Sequence, residues 1–168
     1  MALAKDIGLA ASLGINVARY SHAGIVMTEL IGRWSTLGFY PHDPQNEVLV
    51  FLPDGTGVFE FYWWRLSSYE TFNYVVESNQ LTIHGTEMYA YSDDTKHVET
   101  ETSRLRFVSS FSIRQDDHQA TTGYVNLLEF DRPFSLSRAT KFGRRAADVD
   151  VSVYKPPVFA GMDTDRQV

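Results

Sequence analysis

The chain contains no cysteine, which excludes a disulfide framework, a thiolate zinc site and a cysteine nucleophile together. Positive charge is also scarce. Fifteen Lys and Arg face 21 Asp and Glu, for a net charge of −6, and binding to a phosphate backbone depends on clustered cations that displace counterions. Nucleic acid is therefore not an expected partner. No apolar run approaches the roughly 20 residues that carry a helix across a bilayer, so membrane insertion is not expected either. The sequence has no Asn-x-Ser/Thr sequon, no Gly-x-Ser-x-Gly elbow, no P-loop and no dinucleotide fingerprint. His22, His42, His84, His97 and His118 fall in different segments without ligand spacing, so no metal site is expected. Asp93-Asp94, Glu99, Glu101 and Asp116-Asp117 read as solvated charge in polar turns.

What remains is a chain of 168 residues, 43% hydrophobic and 14% aromatic, enough for one domain with a substantial core and too short for two ordinary ones. It divides into an N-terminal helix or lid over 1–28, a β-barrel over 29–157 and a tail over 158–168. In the first part Leu3, Ile7, Ala10, Leu13 and Val17 recur at intervals of three and four, which predicts a helix with one apolar stripe. Gly8 and Gly14 each cost about 1 kcal/mol relative to Ala inside a helix, so this element depends on docking, as a mobile lid or as a fixed cover. Asp6 beside Lys5, with Ser12, Gly14 and Asn16 interrupting the apolar run, argues against a cleaved leader; the segment is expected to stay in the mature chain and the protein to be cytoplasmic.

From Leu30 the period changes to two. Runs rich in Val, Phe, Tyr, Trp and Thr predict strands near 31–40, 47–52, 57–65, 70–77, 80–84, 86–91, 102–115, 122–130 and 148–154. Short polar connections such as Asp54-Gly55 and Ser78-Asn79 imply antiparallel neighbours in sequence order. The fold class is thus all-β: a single antiparallel barrel of eight to nine strands with an N-terminal helix. Asp148 to Val153 alternates strictly and suits a closing strand, whereas 133–147, with Arg138, Lys141, Arg144 and Arg145, reads as a solvated loop or helix face.

Gly32-x-Trp34 at the head of the first strand, Asp54-Gly55-Thr56-Gly57, the aromatic run that follows, and Thr71-Phe72-Asn73-Tyr74 leading into Leu81-Thr82-Ile83 together resemble bacterial lipocalin-like domains over roughly residues 30–90. That resemblance implies an eight-stranded barrel in which the Gly-x-Trp tryptophan plugs one end and stacks under a late arginine, a place for Arg132 or Arg138. The cystines of secreted lipocalins are absent. By layout alone, a barrel with an N-terminal lid helix is also similar to the cofactor-free lipocalin-like cyclases that form spirotetramates in bacterial polyketide pathways.

The run from Val58 puts Val58, Glu60, Tyr62 and Trp64 on one face and Phe59, Phe61 and Trp63 on the other. The first face mixes aromatic surface with polar tips, as small-molecule pockets do, and is the preferred lumen. Glu60 among aromatics suits general acid or base work, or pairs with an arginine such as Arg106. Gln115, with Tyr124 and Asn126, would offer hydrogen bonds to a substrate carbonyl. Trp34, Tyr74, His84 and Arg106 complete the ligand-contacting set. Two readings follow: a cofactor-free cyclase or isomerase acting on an enclosed apolar molecule through Glu60 and Gln115, or a carrier of such a molecule.

Overall fold

The structure is a computed structural model that describes residues 28–40, 42–134 and 139–159. The expected N-terminal helix, Arg138 and the last nine residues of the tail lie outside the described residues. Nine strands follow in order: β1 (Gly32–Ser35), β2 (Gln45–Phe51), β3 (Thr56–Trp63), β4 (Arg65–Glu77), β5 (Gln80–Ser92), β6 (His97–Thr102), β7 (Arg106–Gln115), β8 (Asn126–Phe130) and β9 (Lys141–Arg144). Every pairing is antiparallel. The order β4-β3-β2-β1-β9-β8-β7-β5, closed by β4 against β5, makes an eight-stranded barrel. Strand β6 stands outside the ring: β5 gives Gln80 to His84 to β7 and Glu87 to Ser92 to β6. Among the described residues that leaves the outer edge of β6 unpaired, and Glu99 and Glu101 on it guard it as edge charges do.

The β2–β3 turn is the expected hairpin. Gly55 takes a φ of 84°, and Asp54 Oδ1 accepts the Thr56 N–H at 2.9 Å, so the glycine supplies the left-handed position and the aspartate fixes the turn.

The inward residues of all eight barrel strands form one cluster, including Trp34, Leu49, Phe59, Phe72, Ile83, Phe107, Leu128 and Phe142. Phe134, from the loop after β8, is fully buried in it. The rings of Phe59, Phe107, Phe130, Phe134 and Phe142 meet at centroid distances of 4.8–6.2 Å, mostly edge to face. At this level the barrel is filled by its own side chains.

Trp34 is a fully buried plug in this cluster, and the arginine over its ring is Arg144, not Arg132; Arg138, the other expected candidate, lies outside the described residues. The Arg144 guanidinium lies 4.4 Å from the Trp34 ring centroid, and its Nη1 donates to the carbonyls of Glu29 at 2.8 Å and Ile31 at 2.7 Å. The indole N–H donates to Leu30 O at 2.8 Å. Arg132 instead sits over Phe107.

Two further expectations need correction. Residues 141–144 are strand β9 and close the barrel, where a solvated segment was expected. The alternating stretch after it is no strand: 146–148 form a 3₁₀ turn, and Asp150 Oδ1 accepts the Ser152 N–H at 2.9 Å. Local side-chain bonds of this kind take the place of a ladder.

Replacing Arg144 by Met should cost about 2–4 kcal/mol, because two carbonyls and an indole face lose the guanidinium that meets them. The urea unfolding midpoint measures it, and a change within about 0.5 kcal/mol would show that the plug does not hold the barrel.

Candidate functional site

The registers decide which face of β3 is inside. Leu49 pairs with Phe59 and Val48 with Glu60, and Leu49 and Phe59 belong to the interior cluster, with Phe61 packed against it. The Val58, Glu60, Tyr62 face is therefore outside, opposite to the preferred reading. On β3 the interior takes the phenylalanine rings, and the Glu60 carboxylate goes to the face where two phenols and a cation can meet it.

Outside, Glu60 is nonetheless buried, at 2% exposure. The chain after the 3₁₀ turn lies along this face: Val151 and Tyr154 pack with Tyr62 and Tyr69 against Val48, Val50 and Val58. Phe159 stacks on Tyr69 and Tyr91. The Glu60 carboxylate accepts from Tyr154 OH at 2.7 Å on Oε1 and from Tyr62 OH at 2.8 Å on Oε2, with Arg33 at 3.5 Å. Burial, then the Glu60 charge, pushes the Tyr62 phenol up to about 12, and the same causes raise Tyr154 above the ordinary phenol range. Two phenols and a cation occupy the carboxylate, which makes this cluster a clamp for the C-terminal segment.

Beside the clamp, Leu37, His42, Asp43, Pro44, Asn46, Tyr62 and Trp64 line a groove of about 450 Å³. Trp64 is 81% exposed and holds a φ of 63°, a left-handed backbone that costs a bulky residue about 1–3 kcal/mol. Its N–H donates to Pro44 O at 2.9 Å. Asn46 Oδ1 accepts from Ser35 OH at 2.8 Å and Thr36 OH at 3.3 Å, and Asp43 Oδ1 accepts the Gln45 N–H at 2.9 Å. The walls are thus fixed by local bonds, and an open indole forms one side.

The other expected residues are dispersed. Tyr74 is interior, its hydroxyl donating to Leu52 O at 2.7 Å. Tyr124 is buried outside the barrel, accepting the Gly38 N–H at 2.7 Å. Asn126, with its amide oriented to satisfy both ends, accepts from Arg144 Nη2 at 2.9 Å. Arg106 donates to the carbonyls of Gly85 and Leu105, not to Glu60. His84 is exposed on β5, and Gln115 is exposed at the end of β7, two strands beyond β4 in the barrel order. Only Tyr62 and Trp64 come together in a cavity, with Glu60 bonded behind Tyr62. Two acidic positions escaped the sequence reading, Glu47 buried and Glu70 half-buried, and Asp116, expected in solvent, is 4% exposed, accepting from the His118 N–H and the Thr122 hydroxyl. Glu47, 2% exposed, shares the inward face of β2 with Leu49 and Phe51, and accepts from Gln45 Nε2 at 2.7 Å; period two from Leu49 would have found it. Glu70 accepts from the buried Ser103 hydroxyl, a pairing between distant segments with no local signal.

Among the described residues no three His, Asp or Glu side chains gather as a metal site, and no helix is long and apolar enough to cross a membrane. Comparison of the chain with family models, with curated proteins and with solved structures finds no match.

The raised phenols set a pH dependence. Because the unfolded chain ionises its tyrosines near 10 while Tyr62 in the folded chain holds its proton to about 12, the unfolded state binds fewer protons in that window. Stability should be level below about pH 10 and fall as pH rises towards about 12. Urea midpoints at about pH 9 and about pH 11 test this. Tyr154→Phe should make the alkaline fall shallower, and an unchanged slope would show that Tyr154 is not held against Glu60.

Proposed function

We propose that this barrel is a binding protein for an apolar, planar small molecule, held in the groove between Trp64 and Tyr62. The observation that carries the reading is Trp64, displayed at 81% exposure on a left-handed backbone beside a groove whose other walls are bonded in place. Strain of this kind persists where the surroundings over-determine it, and it gathers at ligand clamps. An indole face opposite a phenol, with His42, Asp43 and Asn46 at the rim, gives apolar area and a few polar contacts for orientation.

A closed antiparallel barrel is compatible with ligand binding. The finer reading, cofactor-free cyclisation of an enclosed substrate, has less support. Glu60 already accepts two phenolic hydrogen bonds, and Gln115 lies on β7, separated from β3 by β4 and β5. Those two groups do not converge on one substrate, and the phenylalanine layer occupies the middle of the lumen. A carrier needs only the groove.

The uncharged dye N-phenyl-1-naphthylamine serves as the probe. Its fluorescence should rise on addition of protein, and Trp64→Gly should weaken binding about tenfold, the range of an interface hot spot. The same substitution relieves the left-handed strain, so the unfolding free energy should stay within about 1 kcal/mol of the parent. Equal dye affinity in parent and variant would remove the groove from the function. A host metabolite that leaves the protein with altered retention but unchanged mass would overturn the carrier reading in favour of isomerisation.

A further inference from the structure

A second hollow shares no lining residue with the groove. Phe39, Tyr40, Ala139, Thr140 and Lys141 line a space of about 330 Å³. We propose that it binds a small aromatic carboxylic acid, with the ring against Phe39 and Tyr40 and the carboxylate on the Lys141 ammonium.

Three features support this. The Phe39 ring is a fixed wall, packed against buried Tyr124 at a centroid distance of 5.2 Å, and Tyr40, 56% exposed, lines the hollow beside it. Ala139 and Thr140 are small, which leaves room for a ring between the aromatic side chains and the start of β9.

The third feature is the state of Lys141. Its ammonium stands 6.0 Å from the Phe39 centroid and 2.9 Å from Glu129 Oε1. Glu129 does not depend on it: Arg114 reaches both carboxylate oxygens, at 3.1 Å from Nη2 and 3.3 Å from Nε. The Arg114 fork, and after it Lys141, holds the Glu129 carboxyl below its usual range. A lysine on a flexible stem can therefore turn to a ligand carboxylate while Glu129 keeps a two-point partner. An acid with an aromatic body fits both halves of the hollow; a neutral aromatic fits only one. With a chain charge of −6 there is no long-range attraction for an anion, so recognition rests on this local ion pair and weakens with salt.

The test titrates the full chain with 2-naphthoate and, separately, with the neutral isostere 2-naphthalenemethanol, following the backbone amide shifts of Thr140 and Lys141. Naphthoate should bind more tightly than the alcohol. Lys141→Gln should weaken naphthoate about five- to tenfold, the range of a partly exposed charged contact, and leave the alcohol unchanged, while Lys141→Arg retains most of the affinity. Trp64→Gly should leave naphthoate binding as it is, so failure of the groove and failure of this site are separate results. Equal affinity for acid and alcohol, equal affinity in parent and Lys141→Gln, or shifts confined to other residues would overturn the proposal.

Discussion

Barrel closure is the constraint on which the rest depends, and backbone pairing supplies little of it. Strands β1 and β9 meet at one residue pair, Ser35 with Gly143, whereas β3 and β4 or β5 and β7 share five or more. Side chains seal this seam from both faces. Inside, Arg144 on β9 reaches the carbonyls of Glu29 and Ile31 ahead of β1 and covers Trp34. Outside, the Tyr124 ring lies on Gly143 so closely that a Cβ there would meet it at 1.9 Å, and its hydroxyl takes the Gly38 N–H. Residue 143 must be glycine for the ring to reach the backbone. Burial lowers the Arg144 pKa, yet the charge is compensated by carbonyl dipoles and a ring face instead of a buried carboxylate, which avoids most of the desolvation cost of an ion pair.

The seam also explains why the molecule has two cores. A closed barrel this small is filled by phenylalanines, so the polar capacity of β3 and β1 is turned outward. Glu60 and Arg33 would face water there if the chain after β9 did not return across β2 and β3. That return places Val151 and Tyr154 over Val48, Val50 and Val58 and gives the carboxylate two phenols. The outer core is thus built around a satisfied polar group, and the inner one is mainly aromatic and aliphatic.

How much of this the sequence makes legible follows from which signals are local. Gly32-x-Trp34, the Asp54-Gly55 hairpin and the all-β pattern are local, and they lead to the barrel. The inward face of β3 is not local, because both of its faces carry large aromatics, and only the pairing of Leu49 with Phe59 selects one. Arg144 is a harder case. In Lys141-Phe142-Gly143-Arg144-Arg145 a buried arginine and a solvated one look alike, and the strand is only four residues long. Asp148 to Val153 misleads for the opposite reason: its period of two is perfect, but Asp148 and Asp150 bond backbone N–H groups within three residues, and those bonds compete with pairing to a strand. Of the proposed ligand contacts, Tyr62 and Trp64 were legible as aromatics beside a strand end, while their position outside the lumen was not.

With the interior occupied by its own rings, the proposed binding falls to the rim of the barrel, and the rim is anchored from several elements. The 36–44 connection is tied to β2 by the Glu47 N–H on Thr36 Oγ1 at 3.0 Å, to the seam by Gly38 and Tyr124, and to the β3–β4 turn by Trp64 and Pro44. These ties come from three different elements. Their effect is that the hollows lined by residues of this connection have several fixed walls, so the proposed binding would carry little ordering cost. The same ties explain how Trp64 keeps a left-handed backbone: its N–H is committed to Pro44, its carbonyl side leads directly into β4, and neither can relax without opening the sheet. Preorganisation at this rim is thus a consequence of how the barrel closes.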